Sequence, residues 1–421
     1  MNSKNQRLED FKNPRSDGIF KTAFRALRQP WVARAACLAM ACALLAPRWP
    51  WDAATLVVPA LSPYVAITAT IATRCVGLTA LVAAPMLLMV LVRRRWLCRY
   101  VCPTGLLADL AGRLGGRRPS NTSKLPPVGQ WLAWSTMGGA VAGYPLFLWL
   151  DPLAIFAGFA NAWGRELGAA ALLCAAGLPL VLLFSLLLPG LWCARVCPLG
   201  AIQDLLTWPR PGIRSRHAEK PPPLWSRPLT RRIVLSGGLG ALGAAGMLRW
   251  IRGAPSLPLR PPGAAGGGQF TGLCLRCGSC ASVCPSQILH PDLGEFGADS
   301  FLTPLVRFEN AYCLETCQRC TRVCPSGALR RLSPDDKPRA VIGLPRVDMD
   351  VCLLGDDHEC AICRNACPYG AIRMVFSEET YLSTPTINPD RCNGCGACQV
   401  RCPTKPVKAI VIYPPATQDQ G

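Results

Sequence analysis

Twenty-four cysteines stand in this chain, and sixteen of them fall in four groups between residues 274 and 402. The first group reads CLRCGSCASVCP (Cys274, Cys277, Cys280, Cys284) and the last CNGCGACQVRCP (Cys392, Cys395, Cys398, Cys402). Between them lie CLETCQRCTRVCP (Cys313, Cys317, Cys320, Cys324) and CLLGDDHECAICRNACP (Cys352, Cys360, Cys363, Cys367). Groups one and four have the spacing Cys-x2-Cys-x2-Cys-x3-Cys-Pro. Groups two and three keep its second part and widen the first gap to three and seven residues. Three thiolates on one tight turn suit three irons of a cubane, and the fourth, opening a short helix, reaches a neighbouring cluster. The reading is four [4Fe-4S] clusters in two pairs, each taking its last ligand from a partner motif. Spacing leaves open whether the motifs pair as neighbours or nested, first with fourth and second with third.

Two other chemistries fit less well. Structural zinc sites usually show two close cysteine pairs separated by a longer stretch. Disulfides would suit an exported domain, but Cys-x-x-Cys repeated four times is poor geometry for eight bridges.

Four more cysteines follow a second pattern. RRRWLCRYVCPTGLLADL carries Cys98 and Cys102, and GLWCARVCPLGAIQDLL carries Cys193 and Cys197. A shift of 95 residues superimposes both cysteines, and also Val101 on Val196, Pro103 on Pro198, Gly105 on Gly200, Asp109 on Asp204 and Leu110 on Leu205. This is an internal duplication. Cysteines four apart share one face of a helix, and a following proline disfavours helical geometry at the second, so each pair belongs at a helix's last turn. Packed by pseudo-symmetry, the four thiols converge on one site. That site reads as a metal or iron–sulfur centre, with redox-active dithiols or inert relics of the duplication as alternatives. Arg95, Arg99 and Arg195 lie close enough in sequence to favour thiolate. Cys37, Cys42, Cys75 and Cys174 lack partner spacing and read as small buried hydrophobes.

The elements that must position these residues follow from composition. Half the residues are hydrophobic and 17% are charged. Residues 75–92, 125–150 and 167–194 contain no charge, and each reaches the ~18 residues of a spanning-helix candidate. Runs 35–47 and 233–248 are shorter and flanked by arginines that can snorkel. The net charge of +20 is uneven: residues 269–421 hold 15 Lys+Arg against 16 Asp+Glu, and residues 1–268 hold 30 against 9. The surplus sits beside the hydrophobic runs, which marks topology under the positive-inside rule rather than nucleic-acid binding. The rule places the N-terminus and loops 93–124 and 195–232 in the cytoplasm, with the apolar stretch 53–73 re-entrant or interfacial on the outside.

The expected fold is a membrane α-helical domain, two repeated hairpins plus a fifth helix, followed by an α+β poly-[4Fe-4S] ferredoxin-like domain. Its parts are a cytoplasmic tail (1–30), a four-helix membrane domain (31–228), a fifth helix (229–252), a Pro/Gly linker (253–268) and an exported domain (269–421). Short β-rich pieces such as TPTINPDRC, LPRVDMDVC and KAIVIY fit paired strands between the clusters. Clusters are inserted in the cytoplasm, so the last domain must cross already folded. Thr230, Arg231, Arg232, Val234 and Leu235, followed by a Gly/Ala-rich run, read as a twin-arginine export signal.

At these residues the sequence resembles two bacterial protein types joined end to end. Residues 20–228 resemble the membrane component of the NapH/MauN type, and residues 229–421 the exported polyferredoxin of the NapG/MauM type. The resemblance implies electron transfer between a quinol pool and a periplasmic redox partner, from the bacterial inner membrane. NapH-type members carry two further ferredoxin motifs in a cytoplasmic tail, whereas no cysteine lies between Cys197 and Cys274 here. The alternative is a maturation or metal-handling factor whose cysteine pairs reduce or load another protein's metal site. The histidines, His217, His290 and His358, all lie outside the hydrophobic runs, and no Cys-x-x-Cys-His occurs. Bis-histidine haem in the membrane and c-type haem are thereby excluded. No phosphate-binding loop or dinucleotide fingerprint stands in a suitable context, which argues against ATP-driven transport and NADH oxidation.

Overall fold

The computed structural model describes residues 30–45, 54–93, 95–115, 126–163, 169–207, 228–252, 257–266, 268–356, 358–378 and 381–415. The N-terminal stretch up to residue 29, expected as a tail, and the arginine-bearing segments 116–125 and 208–227 lie outside the described residues.

The first half is helical. Its helices are α1 (Pro30–Leu45), α2 (Ala54–Ala60), α3 (Pro63–Thr73), α4 (Leu78–Val92), α5 (Trp96–Tyr100), α6 (Pro103–Leu114), α7 (Val128–Val141), α8 (Pro152–Ala162), α9 (Ala169–Ala175), α10 (Gly177–Leu187), α11 (Pro198–Leu206) and α12 (Pro228–Arg252). The long uncharged runs are more broken than expected. Run 75–92 is helical only from Leu78 and carries Pro85 inside α4. Run 125–150 leaves the helix after Val141, where Gly143 takes the left-handed φ of 87°. Run 167–194 is split into α9 and α10 and stops before Pro189 and Gly190. Among the described residues no single helix is long and apolar enough to cross a membrane. The pair α2 and α3 passes that test together, but is bent by 91° at its break.

Polar pins hold these short helices in place. Buried Asp151 caps α8, accepting from the N–H groups of Leu153 and Ala154 at 3.1 Å each and from Ser62 Oγ at 2.6 Å. Ser62 sits at the bend between α2 and α3, so one carboxylate fixes the bent pair against α8. Tyr64, fully buried, donates to Thr136 Oγ1 at 2.9 Å and ties α3 to α7. Helix α12 packs on α7 through small residues. A Cβ on Gly138 would lie 2.0 Å from the Gly237 carbonyl oxygen, and one on Gly240 2.1 Å from that of Ser135. Only glycine allows this approach.

Among its described residues the second half contains three antiparallel strand pairs. β1 (Leu289–Pro291) pairs with β2 (Pro304–Val306), β3 (Leu344–Val347) with β6 (Ile410–Tyr413), and β4 (Ile372–Phe376) with β5 (Ser383–Ile387). The third and fourth motifs lie inside this nest: β3 precedes the third and pairs with β6 after the fourth, while β4 and β5 join them. The first two motifs repeat the plan, with β1 and β2 between them and a bridge from Ala264 to Leu329 closing the outside. The fold is therefore two copies of one unit. Three expected strand pieces appear, as β5, β3 and β6.

The two halves touch closely. Asn161 Nδ2 in α8 donates to the Cys277 carbonyl at 2.9 Å and to Ser279 Oγ at 3.1 Å. Tyr144 and Thr271 share a hydroxyl–hydroxyl bond at 3.2 Å. Leu275 and Cys277 belong to the same buried core as Leu153, Ala154 and Phe156 of α8.

Candidate functional site

The cysteine loops show how the motifs pair. The thiol of Cys324, last of the second motif, lies close enough to Cys274, Cys277 and Cys280 to act on each electrostatically. These four thiols line one apolar hollow with Phe270, Ala281 and Leu329. In exchange Cys284, last of the first motif, joins Cys313, Cys317 and Cys320. Cys367, last of the third motif, joins Cys392, Cys395 and Cys398. Cys352 and Cys360 act on Cys363. The motifs thus pair as neighbours, first with second and third with fourth, which spacing alone left open.

The backbone explains the exchange. Each last cysteine follows a short helix (Ser279–Ser282, Arg319–Arg322, Ile362–Ala366, Ala397–Arg401) that carries it away from its own loop. Backbone N–H groups then meet the sulfurs, Leu329 N on Cys324 Sγ at 3.3 Å and Ala371 N on Cys367 Sγ at 3.4 Å. Such donors favour a thiolate. Burial acts against them: it pushes the Cys274, Cys320 and Cys398 thiols up to about 12. At Cys402 burial raises the thiol, but hydrogen bonds from Thr404 and from the Ala409 and Ile410 backbone outweigh it and leave the thiol below its ordinary value.

Among the described residues no three His, Cys, Asp or Glu side chains close around a single metal ion. Thiol groups set wide around a hollow suit a cubane, whose four irons each take one sulfur, better than one zinc ion. The donor set fits an iron–sulfur cluster.

The two units also join. Cys313 N donates to the Cys395 carbonyl at 2.9 Å and Ile342 N to that of Asn393 at 2.8 Å. A Cβ on Gly394 would lie 2.1 Å from the Gly343 carbonyl oxygen, and its φ of 71° is left-handed, so glycine is required at this junction.

In the helical half the four duplicated cysteines also meet. Cys98 and Cys193 both act on Cys102 and on Cys197, and Cys102 acts on Cys197. The sequence placed both members of each pair on a helix's last turn; only the first cysteine ends there. Cys102 and Cys197 are extended, with ψ of 113° and 117°, and each caps the next helix with its proline at the first position. Proline disfavours helical geometry at the residue before it and suits the first turn of the helix it opens. Both caps donate their N–H five residues back, to Leu97 and Trp192. Gly105 and Gly200 tuck under the carbonyls of Cys98 and Cys193, where a Cβ would sit 3.4 and 3.2 Å away. The cap geometry is thus repeated in both copies, although the preceding turn is α-helical at Trp96–Tyr100 and π-helical at Trp192–Val196.

Side chains without a recognisable motif complete this site. Buried Gln203 donates to Cys98 Sγ at 3.0 Å. Arg95 forks onto Asp204 at 2.9 and 2.5 Å, and Arg34 meets Asp109 at 2.7 Å. Asp109 and Asp204 are duplication partners, so each repeat anchors one arginine. Arg95, Arg99 and Arg195 line a common hollow with Cys98, Cys193 and Cys197; Arg95 is engaged by Asp204. Of the remaining cysteines, Cys42 and Cys75 are exposed rather than buried. Cys174 lines the hollow of the first thiol group.

Residues 273–328 and 358–405 match the family described as 4Fe-4S dicluster domain, and contain the four C-terminal cysteine motifs except Cys352. Residues 75–122 and 168–221 match the family described as 4Fe-4S binding domain, and contain both duplicated pairs. The chain is 32% identical to the methylamine utilization ferredoxin-type protein MauM of Methylobacillus flagellatus, over 42% of this chain and 78% of that protein. It is 34% identical to ferredoxin-type protein NapG of Escherichia coli, over 40% of this chain and 76% of that protein. Ferredoxin-type protein NapF of the same organism is 30% identical, over 39% and 91%. No solved structure matches the chain. The two ferredoxin-like units and these relatives agree: the chain belongs to the family of NapG- and MauM-type ferredoxin-type iron–sulfur electron-transfer proteins.

Proposed function

We propose that this protein is anchored in the bacterial inner membrane and links the quinone pool to a periplasmic redox partner through four [4Fe-4S] clusters. The observation that carries the reading is the order of the thiol groups. Cys274, Cys277, Cys280 and Cys324 lie against the helical half, pinned there by Asn161. Cys313, Cys317, Cys320 and Cys284 follow, and the Cys313–Cys395 backbone bond leads to Cys392, Cys395, Cys398 and Cys367. The same exchange assigns Cys402 to Cys352, Cys360 and Cys363, the group whose first three cysteines are all part-exposed. Each bound cluster supplies a one-electron carrier whose potential its surroundings set. The thiol groups run from the helical half to an accessible surface where a partner can dock.

Cys98, Cys102, Cys193 and Cys197 would hold a fifth centre. Gln203 and Gly105 N orient two of these sulfurs, and the 4Fe-4S binding domain match over both pairs supports the assignment. The helical half corresponds in this reading to a fused NapH/MauN-type component.

Membrane placement is supported by the surface of that half. Met40, Leu81, Leu88, Leu180, Leu183 and Leu242 are exposed, a density that water-soluble surfaces rarely carry. Helix α7 runs between two unlike ends. Near its start Gly129 lies against the Cys197 carbonyl, beside the arginines; beyond its end Tyr144 meets Thr271 of the ferredoxin-like half. The arginine-rich end faces the cytoplasm and the ferredoxin-like end the periplasm, exported by the twin-arginine signal at Arg231 and Arg232.

Anaerobically purified full-length protein should carry about sixteen iron and sixteen sulfide for the four external clusters, and about four more of each for the fifth centre. Zinc in place of iron would contradict the reading.

A further inference from the structure

A further hollow, about 470 Å³ in volume, lies between the helical half and the first cysteine loop. Trp192 and Val196, the neighbours of Cys193 and Cys197, line one part of it, and Leu275 and Arg276, within the Cys274–Cys277 loop, line another. Trp149, Ile155, Leu173, Leu180, Val181 and Phe184 supply an apolar and aromatic wall. Leu173 and Leu180 are exposed while Ala154 and Val181 are buried, so the hollow opens sideways along the α9–α10 face. Among the described residues Arg276 is the one charged residue lining it.

Arg276 stands where its own backbone would prefer another residue. Its φ is +55°, and at the matching position of the fourth motif Gly394 has φ +71°. The next positions match as well, Gly278 at +71° and Gly396 at +87°. Left-handed backbone favours glycine and strains a branched or long side chain, and such strain clusters at sites of function. The guanidinium lies 5.3 Å from the centroid of the Trp149 ring. It donates to the Phe301 carbonyl at 2.7 Å and to that of Asp299 at 3.0 Å. These bonds use two of its five N–H donors and hold it beside the hollow.

We propose that this hollow is the quinone site, with the ring between Trp149 and the first cysteine loop, a ring oxygen accepting from Arg276, and the isoprenoid tail leaving past Leu173 and Leu180. The assignment rests on the quinone-pool reading above and adds its location. A flat, carbonyl-bearing ring with an apolar tail matches an aromatic wall, one cationic donor and a sideways mouth; the hollow's size suits a ligand of that class. The position places such a ring beside the loop of Cys274 and Cys277, with the Cys193–Cys197 turn bordering the same hollow.

The test uses the full chain in bilayer discs with a photoreactive decyl-benzoquinone, adducts mapped by mass spectrometry and affinity read by competition with plain decyl-benzoquinone. Labelling should fall within 149–196 and 275–302. Arg276→Gly relieves the backbone strain and copies Gly394, so it should keep full iron content while weakening binding roughly tenfold or more, as loss of a charged hydrogen bond does. Arg276→Lys should retain most of the affinity, and Leu180→Trp should reduce labelling by partly filling the mouth. Labelling elsewhere, or equal affinity in Arg276→Gly, would overturn the proposal. So would equal competition by a decyl chain lacking the ring, which would make the hollow a lipid slot. If wild type binds no quinone yet its clusters accept electrons from a chemical reductant, the site assignment fails while iron–sulfur electron transfer stands. If iron is absent, the electron-transfer reading fails whatever the labelling shows.

Discussion

Lys337 Nζ lies 3.0 Å from Cys313 Sγ, and Lys337 is 1% exposed. A buried ammonium with a sulfur as hydrogen-bond partner is a tuning contact. Charge and hydrogen bonds at the sulfurs set cluster potential, and a positive group favours the reduced, more negative state. Lys337→Met keeps length and apolar bulk while removing the charge. It should move the midpoint of the second cluster to more negative potential by about 59 mV or more, a tenfold change for one electron. Redox titration followed by electron paramagnetic resonance reads this directly. An unchanged or more positive midpoint would mean that the contact is only structural.

The exchange of last cysteines gives a second prediction. Cys324→Ser should damage the cluster otherwise held by the first motif, and Cys284→Ser the one held by Cys313, Cys317 and Cys320. Spectra of each variant, resolved against the Lys337→Met shift, assign the loss to one cluster. Cys324→Ser harming the cluster of its own motif would refute neighbour exchange.

Topology gives a third. A reporter fused after Gly421 should be active outside the cytoplasm, and one inserted near Arg216 active inside. Arg231→Lys with Arg232→Lys should leave the ferredoxin-like half unexported. Export at the normal level in that double variant would remove the twin-arginine signal from the account.

Protons give a fourth. Burial raises Cys274, Cys320 and Cys398 to about 12, whereas a cluster takes thiolates. At neutral pH each of these ligands must therefore lose a proton on cluster insertion, so the apparent affinity should rise with pH. For the cluster-free protein the sign is opposite. A thiol raised above its unfolded value contributes stability that is complete below about pH 9 and is lost as pH rises toward 12. Proton release during anaerobic reconstitution, and denaturation of stripped protein between pH 8 and 11, measure the two effects; a cluster-free protein that gains stability across that range would contradict them.

Much of the site was legible in the cysteines because iron–sulfur ligation constrains local spacing. The meeting of Cys98, Cys102, Cys193 and Cys197 followed from the duplication. The partner of each motif was not legible, since crossing over depends on how far each short helix carries its last cysteine. Gln203, Lys337 and Asn161 act through long-range contacts and have no local signature. Arg276 had a faint one: it stands where the aligned fourth motif has Gly394. The uncharged runs form shorter helices than expected because charge-free length does not register the late start at Leu78 or the ends at Gly143 and Ala176.

The most direct measurement of the central claim is the reduction of the clusters by quinol. Full-length protein in bilayer discs, with clusters oxidised, is mixed with decyl-benzoquinol in a stopped-flow spectrometer without air. The account predicts bleaching of cluster absorbance at rates of a working enzyme, roughly 1–1000 per second, lost when Cys98, Cys102, Cys193 and Cys197 are changed together to serine although the clusters of the ferredoxin-like half remain. Clusters that dithionite reduces but quinol leaves oxidised would contradict it.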